Sequence, residues 1–250
     1  EASTTSVTIQ IFCGDRVNND TDGENINRRS YNLERTLGND GGGTASEYIV
    51  GAVPSELTFN ISESDKITVD MSFVAQNHEN RTGATGVKSG NRNAFVEEGA
   101  FNTSSDVSRI KLAVHNATNE NPTSLFAYMN ELTLTINNNV SPNKAVGVTG
   151  AFDMTEGNFM VEADLNAYFG DTTASDSVKN NDSVSLDFAI VKDNRGIAID
   201  IPLMSLGNGR NEVVAQEAIR LPLTGMAAKD STYNYTASMT RFAYLPTAAG

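Results

Sequence analysis

Tryptophan is absent from this chain, cysteine occurs once and histidine twice. With Cys13 alone, no internal disulfide can form. Thiol chemistry would need a histidine partner and a polarising site, and neither is visible, so a buried structural cysteine is the simpler reading. His78 and His115 make no Cys/His cluster with zinc spacing. No Gly-x-Ser-x-Gly elbow exists to present a nucleophile. Gly41-Gly42-Gly43-Thr44 lacks the Gly-Lys-Ser/Thr step that cradles a phosphate. Glu97-Glu98 is a solvated acidic pair, since acid–base work needs a perturbed environment. These absences point away from an enzyme and from any cofactor.

No apolar run approaches the roughly 18 residues that span a bilayer, so no membrane partner is expected. No secretory leader is visible, and the chain starts at Glu1 without Met, which leaves room for residues upstream. Positive charge is scarce: 18 Lys and Arg stand against 31 Asp and Glu, for a net charge of -13. That balance excludes nucleic-acid binding by charge attraction. It suits either simple solubility or a surface that must not adhere to DNA. Asn18-Asn19-Asp20-Thr21-Asp22-Gly23 imitates the start of a calcium loop, but Arg29 stands where the closing Glu belongs. Asn-x-Ser/Thr triplets recur, as chance predicts where Asn, Ser and Thr are this common.

What the chain does have is alternation with a period of two. Leu57, Phe59 and Ile61 alternate with Thr58 and Asn60, and Ile67, Val69, Met71 and Phe73 with Thr68, Asp70 and Ser72. The same pattern covers Val7–Ile11, Ile110–Val114, Leu132–Ile136, Phe159–Phe169, Val184–Ile190, Ile197–Ile201 and a strand between Tyr233 and Tyr244. One apolar and one polar face per strand means antiparallel sheets covered on one side. Asp193-Asn194-Arg195-Gly196 reads as a hairpin turn. Short helices are allowed near Ser175–Asn180 or Asn211–Ile219. The expected fold is all-β, an antiparallel sandwich or half-barrel in one domain over residues 1–250. Glu56–Ile61 matches Glu131–Ile136, so two fused β units, about 1–120 and 121–250, are an alternative. Gly14–Arg28 and Gln76–Asp106 read as long polar loops, and loops of that length are usually functional or disordered.

The order of several short motifs adds a resemblance. Ser30-Tyr31-Asn32-Leu33-Glu34-Arg35 is followed by strands at Tyr48–Ile61 and Ile67–Phe73. Then come Leu125–Val140 with its Asn137-Asn138-Asn139 run, Lys144-Ala145-Val146-Gly147-Val148, Gly150-Ala151-Phe152, and Phe159–Phe169 ending in Gly170-Asp171. Leu221-Pro222-Leu223-Thr224 and Thr240-Arg241-Phe242 close the series. This order resembles the major tail tube proteins of long-tailed bacteriophages, over about Ser30 to Tyr244; the Gln76–Asp106 stretch departs from it.

The resemblance implies a virion protein without catalysis, assembled in the host bacterial cytoplasm. It would polymerise into stacked rings, contact other tail proteins and pass DNA without binding it specifically. The family's barrel of about 24 strands, at about 4.8 Å spacing and about 40° tilt, has a backbone diameter near ~48 Å. Six copies would build the ring, or three if the Glu56 and Glu131 segments are true duplicates. Lumen candidates are Asp70, Glu162, Asp164 and Asp187. The Gln76–Asp106 loop would reach a neighbouring subunit, with Phe95, Val96 and Phe101 as apolar anchors and Arg92 and Glu97 as polar ones. Deleting Thr82–Asn102 would then spare the β fold and abolish assembly. The rival reading is an extracellular β-sandwich binding or adhesion module, which explains alternation and acidity but not the motif order.

Overall fold

A computed structural model describes residues 15–19, 28–39, 41–92, 94, 99–115, 124–126, 128–170 and 172–243. The predicted strand at Val7–Ile11 lies outside them. Among the described residues the chain forms a twelve-stranded antiparallel sheet that folds over on itself, plus a two-stranded ribbon and a single α-helix.

The alternating segments become strands with their apolar parity turned inward. In chain order these are β1 (Asp15–Asn18), β2 (Tyr31–Asn39), β3 (Thr44–Ser62), β4 (Thr68–Val74), β5 (Asn77–Arg81), β6 (Val107–Val114) and β7 (Met129–Asn137). They continue with β8 (Ser141–Asn143), β9 (Asp153–Thr155), β10 (Met160–Tyr168), β11 (Ser183–Lys192), β12 (Arg195–Asn208), β13 (Arg220–Ala227) and β14 (Ser238–Phe242). One layer runs β4-β3-β7-β10-β13 and ends on the second half of β12. The other runs β6-β11-β12-β14-β1.

Strand β12 belongs to both layers. Its pairing with β14 ends at Asp200 and that with β13 begins at Met204, while its register with β11 slips between Leu186 and Val184. The extra residues at Pro202-Leu203 are a bulge, and a bulge lets a strand turn a corner between sheets. The two layers are therefore closed together at β12 and open at the opposite side, where β1 and β4 are edges. This is the expected half-barrel.

Between the layers lies one apolar core. Phe59, Leu132, Leu134, Val161 and Leu165 from one sheet meet Leu112, Leu186, Phe188, Ile199 and Ile201 from the other. Phe59 and Phe188 touch edge to face, with ring centroids 6.1 Å apart. The β11–β12 turn is the predicted hairpin: Asp193 and Asn194 have φ of 48° and 61°, the left-handed pair that a two-residue turn requires. Of the two candidate helices, residues Thr173–Asn180 form α1, closed by Asn181 in the left-handed region. Residues 211–219 form no helix; Glu212 instead bridges to Arg220.

The stretch from Gln76 to Asp106 is not a continuous loop, and the expectation is corrected here. Residues Asn77–Arg81 form β5, which pairs with the first half of β3. Asn-His-Glu-Asn-Arg has no apolar alternation, so its strand character rests on backbone pairing that hydrophobic periodicity does not register. A 3₁₀ turn at Gly83–Thr85 follows. Its exit packs so closely on β3 that a Cβ at Gly86 would collide with the Thr44 carbonyl oxygen. The matched segments Glu56–Ile61 and Glu131–Ile136 are antiparallel neighbours, with Phe59 opposite Leu134.

Candidate assembly surface

Each strand of the β4-to-β12 layer has a polar parity facing away from the core, and the register lines these residues up in transverse rows. One row reads Asp70, Thr58, Thr135, Glu162, Met226 and Ser205 across β4, β3, β7, β10, β13 and β12. The next reads Thr68, Asn60, Thr133, Asp164, Thr224 and Gly207. Flanking rows hold Ser72, Glu56, Asn137 and Met160 on one side, and Ser62, Glu131, Asn166 and Pro222 on the other. No Lys or Arg occurs in these rows. The first cation, Arg220, lies one row farther along, opposite Tyr168 and 3.8 Å from Glu217.

Side-chain hydrogen bonds tie this face together laterally. Asn60 Nδ2 donates to Asp70 Oδ2 at 2.9 Å, and Asn137 Nδ2 donates to Glu56 Oε2 at 2.8 Å. The Thr58 and Thr135 hydroxyls are 3.4 Å apart. The result is a sheet face whose charged side chains in these rows are all acidic.

Three of the four predicted lumen residues, Asp70, Glu162 and Asp164, share this face. Asp187 does not: it lies on the outer side of the opposite layer, where both nitrogens of the Arg109 fork engage it, Nη2 at 2.9 Å. Glu56 and Glu131 belong to the acidic face and were missed. Their signal was available, since each opens an alternating segment on its polar parity.

The predicted contact residues are divided as well. Phe95, Val96 and Glu97 lie outside the described residues. Arg92 donates through Nε to Glu34 Oε2 at 2.7 Å, which holds the Glu34 carboxyl below its usual range. Phe101 packs against its own core, and its carbonyl accepts from the Ile67 amide at 2.9 Å. Between them, Lys88 folds back over Tyr48: its amide donates to Tyr48 Oη at 2.7 Å and its Nζ lies 4.6 Å from the ring centroid. Tyr48 in turn donates to Glu34 Oε1 at 3.1 Å. Tyr48→Phe should cost this lid about 1 kcal/mol, speeding amide exchange at Lys88 roughly fivefold without changing global stability. An unchanged exchange rate would show the hydrogen bond to be idle.

Asp200, on β12, is partly buried and accepts from Tyr235 Oη at 2.6 Å, with Arg16 4.7 Å over the Tyr235 ring. Burial raises the Asp200 pKa above the usual carboxylate value, outweighing the Tyr235 hydrogen bond, and raises that of Tyr235 too. A carboxyl with a raised folded pKa contributes stability below its unfolded pKa and loses it as pH rises through the folded value. Asp200→Asn should therefore gain most relative to the native protein at neutral pH, and the gain should vanish on acidification toward pH 4. Melting curves of both proteins across that range test the sign.

Free edges complete the surface. On one side β4 pairs with β3 and on its other side with no described strand, and β1 and β2 are edges in the same way. Val146, Val148 and Phe152 stand exposed on the β8–β9 ribbon. Among the described residues no group of His, Cys, Asp and Glu is placed to hold a metal, and no helix is long and apolar enough to cross a membrane. His78 sits on β5 and His115 is 3.9 Å from Asp230 on another element.

A folded-over sheet with an acidic outer face, open edges and a packed core defines an all-β protein of the half-barrel class. The chain belongs to the phage tail tube protein family, whose sequence model matches residues 2–237. No curated protein matches it. Membership places the protein in the virion tail as a self-associating tube component, and decides against the adhesion module.

Proposed function

We propose that this protein forms closed rings that stack into the tail tube, with the acidic sheet face lining a channel through which DNA leaves the particle. The observation that carries this reading is the set of transverse rows containing Glu56, Asp70, Glu131, Glu162 and Asp164 without a cation. Such a wall repels phosphate and lets DNA slide. Side-by-side association also gives the unpaired edge of β4 a partner, as ring closure removes free edges. Six copies would close the ring. Three copies would serve if β3 and β7 mark two fused units. Assembly takes place in the host cytoplasm, and the protein performs no catalysis.

Negative-stain images of the purified protein should show annuli or striated tubes, and a reconstruction should count six or three subunits per ring. Discrete monomers, or rings of four or five, would overturn the reading. A channel lined mainly by Lys and Arg would overturn the assignment of the face.

Contacts between subunits include the stretch from Arg92 through Phe95, Val96 and Glu97. Deleting Thr82–Asn102 would also remove the Lys88 lid and the Phe101 packing, so the sharper test is Phe95→Ser with Val96→Ser. Those two changes should block tube formation while leaving the melting temperature unchanged; normal tubes would remove this stretch from the interface.

A further inference from the structure

The β8–β9 ribbon and a cavity lie at opposite ends of the same strands. Asn137 of β7 faces Met160 of β10 and Glu56 of β3, and the ribbon leaves the sheet at this end. Val140 and Met154 root it against Val53 and Val74. Beyond the root it is apolar and uncovered: Val146 is fully exposed, and Val148 and Phe152 also stand in water. Lys144 is the only charged residue between Val140 and Phe152, and it too is exposed.

The nine residues of β7 carry the sheet about 27 Å to its other end. There the two layers part in a mouth of about 320 Å³. Ile61 and Met129 from one layer and Val107 and Ile110 from the other give it apolar walls, and Glu63 and Asn130 line it as well. Asn130 Oδ1 is buried without a hydrogen-bond donor. A buried acceptor in that state carries a desolvation cost that a partner's donor removes. The Asn130 carbonyl accepts from the Glu63 amide at 2.9 Å, which sets the two residues side by side.

We infer that the ribbon tip of one copy enters this mouth on a second copy, with Lys144 donating to Glu63 and Asn130 Oδ1 and with Val146 and Val148 against the apolar walls. The inference rests on the stacked-ring reading above and supplies its axial contact. Membership of a self-associating family makes a second copy the partner at hand. Charge selects the pairing: an ammonium group has three donors, enough for a carboxylate and an orphan amide oxygen together. Two tips meeting would set Lys144 against Lys144, and two mouths Glu63 against Glu63, and like charges in contact are disfavoured. Tip and mouth occupy opposite ends of one subunit, so each copy that binds leaves one of each open. A heterologous contact of that kind propagates along the strand direction and does not stop at a dimer.

Charge reversal tests the pair. Lys144→Glu should abolish striated tubes and leave separate annuli in negative stain, at an unchanged melting temperature. Adding Glu63→Lys reverses the pair and should restore the tubes. Tubes from Lys144→Glu alone, or no restoration by the double variant, would overturn the inference. Crosslinking reports the same contact whether or not rings close. In a Cys13→Ser background, Val146→Cys is combined with Ser104→Cys at the mouth and treated with a short bis-maleimide. Covalent trimers and longer chains should appear as a ladder, and either cysteine alone should give nothing above a dimer. A ladder without annuli would sink the ring reading and uphold the tip-in-mouth contact. Annuli without a ladder would overturn the contact and leave the rings standing.

Discussion

Glu162→Lys combined with Asp164→Lys should leave folding and tube length unchanged and reduce infectivity by about 100-fold or more, with DNA retained in the tail. Both side chains are exposed, facing Thr135 and Met226 or Thr133 and Thr224, so the lysines meet no steric or ionic obstacle. On the proposed ring assembly, repeated around each ring and along the tube, they would turn a repelling wall into a stack of phosphate contacts. Attraction of this kind falls steeply with salt; six to ten phosphate contacts lose roughly 10³–10⁵ in affinity between 50 and 200 mM. Release should therefore recover as ionic strength rises. Asp187→Asn is the matched control: it breaks the Arg109 pair on the opposite layer and should leave release rates alone. Plaque titre and timed DNA release from purified particles measure both. Wild-type release from the double lysine variant would show that the acidic face is not the channel wall.

Phe188→Ala should be the most damaging single truncation for the fold, costing about 3–5 kcal/mol. Phe188 is 1% exposed and touches Phe59 across the layers, so its loss opens a cavity where the two sheets meet. Its neighbours Leu186 and Ile199 come from strands paired on both sides and cannot collapse inward freely. Val146→Ala, at a fully exposed ribbon tip, should change stability by no more than about 0.5 kcal/mol. Chemical denaturation of the two variants distinguishes a core position from a surface one. Equal midpoints would mean that the layers do not pack through Phe188.

Much of this was legible in the chain. Alternation marked the strands from Leu57 to Ile201 because burial of one face imposes a period of two, and Asp193-Asn194 marked its own turn because the hairpin needs left-handed residues there. β5 was hidden because Asn77–Arg81 buries no apolar row and depends on β3 for its pairing. Phe101 looked like a docking residue because sequence shows that it is apolar and not that its own core lies beside it. Met71 looked like a core residue for the same reason, although on the edge strand β4 it is 53% exposed.

The amino-acid order by itself determined which side of each strand is apolar, where the hairpin turns, and the family. It could not assign an outward residue to a layer. Parity sends Asp164 and Asp187 alike away from the core, but a sandwich has two outsides. The bulge at Pro202-Leu203, which passes β12 from one layer to the other, puts Asp164 among the acidic rows and Asp187 against Arg109. Side-chain parity is a local property of a strand, whereas the layer it faces follows from pairings between residues far apart in the chain, and only the tertiary structure holds those.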